Sequence, residues 1–97
     1  MNFSATQESP TRYEIRSVTR ALDVLTTVAD LGATDLSTIA RTAGLHPTTT
    51  LRLLESLRTR GFVRQRRNLW EVGPRAFEVG SRFLNRVSLA SEARLRT

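Results

Sequence analysis

The feature that most constrains the fold of this chain is a short turn, residues 40–45, between two segments with helical periodicity. Ala40 stands four positions before Gly44, and the apolar Leu45 follows the glycine directly. A small residue lets two helices approach closely, and a glycine lets the chain leave the first helix sharply, at about 90–120°. The turn therefore predicts two helices that meet at a steep angle.

The helix before the turn is expected to be short. Asp35 is placed to cap a helix over roughly residues 36–43, and Ile39, Ala40 and Ala43 supply its apolar side. Isolated helices shorter than about 12–15 residues are marginal in water. This helix must therefore be held by packing against the rest of a domain.

The helix after the turn is expected to have one buried and one outward face. It begins at Pro47, since proline suits the first helical turn, and it ends at Gly61. At about 100° per residue, apolar and polar positions separate cleanly. The predicted buried stripe is Thr50, Leu53, Leu54 and Leu57, and the predicted outward face is Thr48, Arg52, Glu55 and Thr59.

An earlier apolar-periodic segment predicts a first helix that stops at Gly32. Ser17 is the expected N-cap. Ile15, Val18, Leu22, Leu25 and Ala29 recur at three- and four-residue steps and are expected to share one helical face.

Two short apolar runs, residues 62–65 and 69–72, predict a β-hairpin with the three-residue tip Arg66-Arg67-Asn68. Asn68 is expected to adopt the left-handed conformation that such tips need. Trp70 could stack on a base, but its strand spacing with Val72 favours a core position.

A last helix is expected from Pro74 to about Ala90, with one face made of Ala76, Gly80, Phe83, Leu84 and Val87. The order of elements predicts a mainly α fold with a small β-hairpin, a winged helix-turn-helix followed by a linker helix. The expected organisation is a flexible arm (1–14), the winged helix-turn-helix domain (15–73) and the linker helix (74–97).

The basic charge of the chain is concentrated in one segment. Of 15 basic residues, all arginine, seven lie in residues 41–67 beside one acid, whereas the remaining eight are balanced by eight acids. The exclusive use of arginine fits a GC-rich genome. The whole net positive charge of +6 lies within residues 41–67, and this concentration indicates a polyanionic partner.

The outward face of the third helix has side chains suited to reading bases. Arg52 can pair with guanine O6 and N7, and Thr48 and Thr49 can reach bases or phosphates. A surface ion pair with Glu55 is the alternative role for Arg52. Within this motif we expect base contact, with Glu55 as the partner that positions Arg52.

The hairpin arginines Arg64, Arg66 and Arg67 are expected to contact the DNA backbone or minor groove, although a solvated turn has the same composition. His46, just before Pro47, is expected either to donate to a phosphate or to fill the turn. The expected partner is therefore double-stranded DNA.

Several classes are excluded by absence from the sequence. With one histidine, no cysteine, no carboxylate pair and no glycine-rich phosphate loop, neither an enzyme, a metal site nor a cofactor is expected. No apolar run is long enough to span a membrane, and no secretory signal is present, so a cytoplasmic location is expected. The alternative function is a winged helix that contacts an acidic protein.

The ordered set of motifs resembles the N-terminal domain of the IclR family of bacterial transcription regulators. The family pattern Ser-Val-x-Arg-Ala-Leu corresponds to residues 17–22, and Gly-Leu-Pro-x-Ser-Thr-x-x-Arg-Leu-Leu to residues 44–54. The Gly-aromatic-Val wing corresponds to residues 61–63, and the linker start to residues 72–74, with a repeat at residues 79–80. The resemblance covers about residues 15–84.

The resemblance implies a cytoplasmic repressor or activator that binds a near-palindromic operator as a homodimer. It implies that Arg52 and Thr49 contact the groove, and that Arg20 and Ser37 contact phosphates at the ends of the first two helices. It also implies a separate C-terminal domain for a small-molecule effector. That domain is absent from these 97 residues, and the uncapped last helix favours a fragment over a natural short form.

The chain departs from the family pattern at three places. The proline of the turn lies one position later, at Pro47, with His46 before it. Thr50 replaces an aliphatic residue, and the hairpin is shorter than the family norm.

Overall fold

The computed structural model describes residues 13–96, and the side chains of residues 13–87. The elements follow in the order α1 (Arg16–Leu31), α2 (Leu36–Ala43), α3 (Pro47–Thr59), β1 (Val63–Arg66), β2 (Leu69–Val72) and α4 (Pro74–Arg96). This is the predicted mainly α fold with a small β-hairpin, in the order of a winged helix-turn-helix followed by a long helix. The expected arm lies almost entirely outside the described residues.

The two helices around the turn have the bounds that the sequence predicts. The side chain of Asp35 accepts the Thr38 amide at 2.8 Å and caps α2. Gly44 has a positive φ of 72°, which lets the chain leave α2, and the amide of Leu45 returns to the Ala40 carbonyl at 2.9 Å. Because these bonds close the end of α2, the direction of α3 is set within two residues.

The apolar face predicted for α1 is mostly exposed. Val24 and Val28, outside it, are buried, whereas within it Leu25 is half-buried and Ile15, Val18, Leu22 and Ala29 are exposed. The apolar residues of α1 form two stripes about a third of a turn apart, and the predicted stripe is the one that lies mainly away from the core.

The predicted N-cap of α1 is wrong. Ile15 occupies the cap position with no side-chain hydrogen bond, and Ser17 lies inside the helix. The helix ends as predicted at Gly32, whose amide donates to the Val28 carbonyl at 2.9 Å.

The hairpin is tighter than predicted. β1 and β2 pair antiparallel, with Arg66 opposite Leu69, so that only Arg67 and Asn68 form the tip. Arg67, and not Asn68, has the positive φ, at 60°. A two-residue hairpin loop commonly needs a positive φ at its first position, and Arg67 is that first residue, so the left-handed conformation falls on Arg67 and not on Asn68.

The core is a single cluster beneath the helices and the hairpin. It consists of Val24, Val28, Ile39, Leu54, Val63 and Trp70. Trp70 is buried, as predicted. Its backbone exchanges two hydrogen bonds with Thr34, which forms an isolated antiparallel bridge on the outer side of β2. Thr50 is buried beside this cluster, and its hydroxyl donates to the His46 carbonyl at 3.0 Å. A hydroxyl is therefore tolerated at this aliphatic position.

The last helix begins at Pro74, as predicted, but leaves the body of the domain. It packs mainly against β1. In the predicted apolar face only Ala76 is half-buried, while Gly80, Phe83, Leu84 and Val87 are exposed, so most of this face does not pack against the described domain. Over residues 13–96, no helix is both long enough and apolar enough to cross a membrane.

Gly73 joins the hairpin to α4 at a point where the backbone is crowded. A Cβ atom on Gly73 would lie 2.4 Å from the Gly61 carbonyl oxygen, whereas one on Gly80 would meet nothing within 4 Å. We expect Gly73→Ala to lower the free energy of unfolding by about 1–3 kcal/mol, since the contact is with backbone that cannot rotate away. Gly80→Ala, the matched control, should raise it by about 0.5–1 kcal/mol. Urea unfolding followed by circular dichroism measures both, and equal stability of the two variants would refute the steric argument.

Candidate nucleic-acid interface

The outward face of α3 carries the polar side chains that the sequence places there. Thr48, Arg52, Glu55 and Thr59 are exposed, whereas Thr50 and Leu54 are buried and Leu53 and Leu57 are half-buried. Among the side chains of residues 13–87, none forms a hydrogen bond or ion pair with the Arg52 guanidinium. Arg52 therefore presents its donors to solvent, away from the core.

The partner predicted for Arg52 is wrong. Glu55 pairs with Arg58 on the following turn, at 2.6 Å from Oε1 to Nε. Both side chains are about half exposed. Glutamate can reach a residue three positions before it or after it on a helix, and here it takes the later one. Arg52 is therefore not held in place by Glu55.

His46 performs a role that the sequence did not indicate. It is the N-cap of α3, and its Nδ1 atom accepts the Thr48 amide at 3.1 Å. When Nδ1 accepts a hydrogen bond, the proton of the neutral ring lies on Nε2. The exposed imidazole therefore caps α3 through Nδ1 and, in its neutral form, can donate a hydrogen bond through Nε2.

The start of α2 combines a cap with an exposed hydroxyl. Hydrogen bonds from the Thr38 side chain and amide hold the pKa of the Asp35 carboxyl below its ordinary value, helped by the charge of Arg41 and slightly opposed by desolvation. Ser37 is exposed on the first turn. A phosphate at Ser37 would be favoured by the helix N-terminus but would lie near the Asp35 carboxylate.

Two of the three wing arginines share one carboxylate. Arg64 forms an ion pair with Glu71, its partner across the hairpin, and the Arg66 Nη1 atom lies 3.6 Å from the same Glu71 Oε2 atom. Arg64, Arg66 and Arg67 are all exposed. Glu71 was missed by the sequence reasoning, although its position opposite Arg64 follows from the register of the hairpin.

An open groove, here named the wing groove, joins three of the elements that carry predicted contacts. It lies between the start of α2, the start of α3 and the hairpin, and its volume is about 410 Å³. Ser37, Pro47 and Asn68 are among the residues that line it. Arg20 is not among its lining residues; it lies on α1 and is half-buried. Of the predicted contact residues only Ser37 lines the groove; the predicted contacts of α3 and of the wing lie on elements that border it, and Arg20 lies apart from it on α1.

Leu51 is a second residue that the sequence reasoning missed. It lies on α3 between the buried stripe and the outward face, is 40% exposed and lines the wing groove. The signal was available, because Leu51 is the one leucine of this helix outside the predicted buried stripe.

Comparison with known proteins identifies the family. The family model of the IclR helix-turn-helix domain matches residues 17–67, which is more than half of the chain. The chain belongs to the IclR family. The matched residues contain nearly all of α1, then α2, the turn, α3 and β1, and they end before β2.

Named relatives and a solved structure agree with this assignment. Over 83 residues the chain is 41% identical to "Transcriptional repressor IclR" of Escherichia coli K12 and 42% identical to "Acetate operon repressor" of Salmonella typhimurium LT2. Each match covers 82% of this chain and 30% of the relative. The crystal structure of Pseudomonas aeruginosa HmgR superposes with a TM-score of 0.70 at 32% identity, covering 73% of this chain and 30% of that one. The chain thus spans less than a third of the length of these relatives, and their names place it with regulators rather than enzymes.

The pKa of Asp35 makes the stability of the domain depend on pH. Because folding lowers this pKa, the charged cap stabilises the fold above the ordinary aspartate value of about 3.9, and that contribution is lost as the pH falls through the lowered value. We expect Asp35→Ser, which keeps a capping oxygen, to lose less free energy of unfolding than the wild type between about pH 5 and pH 2.

Urea unfolding at a series of pH values measures this difference. Asp30→Ser removes an exposed acid near the end of α1 and serves as the control for the lost charge. An Asp35→Ser variant as sensitive to acid as the wild type would show that the cap does not carry the pH dependence.

Proposed function

We propose that the chain is the DNA-binding domain of a transcription regulator, which binds duplex DNA sequence-specifically with α3 in the major groove. The observation that carries this proposal is the exposed Arg52 guanidinium, which pairs with no other described side chain on a helix whose opposite side is anchored in the core. The second helix of a helix-turn-helix inserts its N-terminal half into the major groove. Arg52 lies in that half.

The base contacts would come from three side chains of α3. Arg52 donates in bidentate fashion to guanine O6 and N7, a pairing that distinguishes guanine from the other bases. Thr48 is exposed and its hydroxyl reaches a base edge or a phosphate. Thr49 is half-buried, so its reach is limited to groups that approach the helix closely.

The phosphate contacts would surround this reading face. His46 would donate from Nε2, since its Nδ1 already accepts the Thr48 amide. Ser37, at the start of α2, would bind with the favourable dipole of that helix. Arg20 would contribute from α1. These groups carry no sequence preference, but they fix the register of α3 on the duplex.

The wing would supply the remaining backbone contacts through Arg64, Arg66 and Arg67. Glu71 holds Arg64 and Arg66 in the free domain. When a DNA phosphate approaches the wing, these two arginines would therefore exchange the Glu71 carboxylate for the phosphate. This limits the net gain from these two arginines, whereas Arg67, at the tip, forms no ion pair with the side chains of residues 13–87.

We also propose that the chain functions as a homodimer. α1 exposes Ile15, Val18 and Leu22 in one stripe, and the described part of α4 exposes Phe77, Val79, Phe83, Leu84 and Val87. Exposed apolar stripes of this kind on two helices are typical of protein–protein contact surfaces. A two-fold dimer fits a near-palindromic operator, with half-sites about 34 Å apart or a multiple of that distance.

The wider activity is proposed from the relatives, two of which are named as repressors. We propose that the chain acts in a cytoplasmic regulator of transcription, in which a further domain binds a small-molecule effector. DNA binding by this domain would then repress or activate depending on where the operator lies.

The proposal is tested by selection from random duplexes followed by titration at several salt concentrations. We expect a preferred near-palindromic site, and an affinity that falls with a logarithmic slope of about −0.9 per phosphate neutralised. A domain that binds an acidic protein instead would select no common sequence.

Replacement of Arg52 tests the reading role directly. Arg52→Ala should cost about 1–3 kcal/mol on the selected duplex and relax the preference at one base position, while random duplexes lose little. The matched contrast is Arg66→Ala with Arg67→Ala, which should weaken binding to selected and random duplexes alike and reduce the salt slope. Fluorescence anisotropy measures both, and an equal loss for Arg52→Ala on the two kinds of duplex would contradict base reading.

The homodimer is tested by a charge on the apolar stripe of α4. Phe83→Glu should shift the chain towards monomer, because a carboxylate would be buried without a partner in the interface. Asn85→Glu adds the same charge on the polar side of the helix and should leave the dimer intact. Sedimentation velocity reports the change, and monomeric wild type at the concentrations used for DNA binding would refute the dimer.

A further inference from the structure

The apolar surface beside Arg52 is not used by the contacts proposed above. Leu51 is the residue before Arg52 and is 40% exposed, on the flank of α3 that faces the hairpin. The other leucines of α3 are buried or half-buried in the core. An exposed leucine therefore borders the outward face of α3, which is made of hydroxyls and charges.

The wing groove extends this apolar surface away from Leu51. Apolar atoms predominate in its lining, which includes Leu36, Pro47, Leu51 and Trp70, with the polar side chains of Gln65 and Asn68 on the hairpin side. The groove is open along one side, so it does not enclose a small molecule as ligand pockets do. Its shape suits the edge of a larger partner that passes along it.

The charges around the groove indicate which part of a duplex enters it. Asp35 also lines the groove, and its lowered pKa keeps it negatively charged, so a phosphate is disfavoured inside except at the start of α2, where Ser37 lies at the helix N-terminus. Arg67 lies at the hairpin tip beside Asn68, with Arg66 directly before it, so cations for the sugar-phosphate backbone are available on the hairpin side, while Arg52, next to Leu51 on α3, is directed to a base. The uncharged edge of a base is the part that fits between them.

The major groove offers one apolar group on a base edge, the 5-methyl of thymine. We infer that Leu51, with Pro47 beside it, receives a thymine methyl in the wing groove and so determines specificity at a base pair within one or two steps of the guanine bound by Arg52. This inference rests on the proposed function, since it requires α3 in the major groove. It adds a second read position whose chemistry is apolar.

The inference is tested by replacing thymine with uracil, which removes only the methyl group. Each thymine of the selected duplex is replaced in turn, and the affinity of the 97-residue chain is measured by anisotropy. Loss of one buried methyl corresponds to about a fourfold weakening, so we expect at least one position with this effect in the wild type. In Leu51→Ala the thymine and uracil duplexes should bind equally at that position.

Two variants control for folding and for general apolar contact. Leu51→Met keeps an apolar side chain and should retain the preference for thymine over uracil. Leu69→Ala removes a leucine of similar exposure, 43%, on the hairpin and outside the groove lining, and should also retain it. Thermal unfolding of each variant confirms that the domain is intact.

The outcomes separate this inference from the proposed function. Uracil sensitivity that persists unchanged in Leu51→Ala would overturn the role of Leu51, as would the absence of any sensitive position in the wild type. In both cases a selected duplex that still depends on Arg52 would leave the proposed function standing. Failure of the wild type to select any duplex would overturn both.

Discussion

The positions of the wing and of α3 relative to each other depend on Trp70. Its side chain is buried in the same cluster as Leu54 of α3 and Ile39 of α2. Its backbone pairs with Gln65 on one side and exchanges hydrogen bonds of 2.7 and 3.0 Å with Thr34 on the other. One residue thus fixes the hairpin both to the helical core and to the segment that leads into α2. The width of the wing groove follows from this joint.

The sequence was sufficient for α2, the turn and α3, because their boundaries are set by local chemistry. A carboxylate cap at Asp35, a left-handed glycine at Gly44 and a proline in the first turn of α3 each specify one backbone conformation. The outward position of Arg52 then follows from the helical repeat alone. The cap formed by His46 did not follow, because a histidine before a proline can equally fill a turn or donate to a ligand.

The predictions that failed concern contacts between elements. Periodicity identifies apolar stripes on α1 and α4 but does not say whether the core covers each stripe, and the structure leaves Val18 and Phe83 exposed. The partner of Glu55 was ambiguous for a similar reason, since arginines stand three residues before and after it. The role of Glu71 depended on the register of the hairpin, and the sequence predicted a tip of three residues where the structure has two.

The two residues at the hairpin tip stand in the opposite order to the one that backbone torsion alone would favour. Arg67 has a φ of 60°, a region in which glycine and asparagine are more stable than arginine, while Asn68 occupies the next position. The loop therefore tolerates a torsional penalty that exchanging its two residues would relieve. The strained order places a guanidinium at the first of the two loop positions, on a turn of only two residues that has little freedom to retract it.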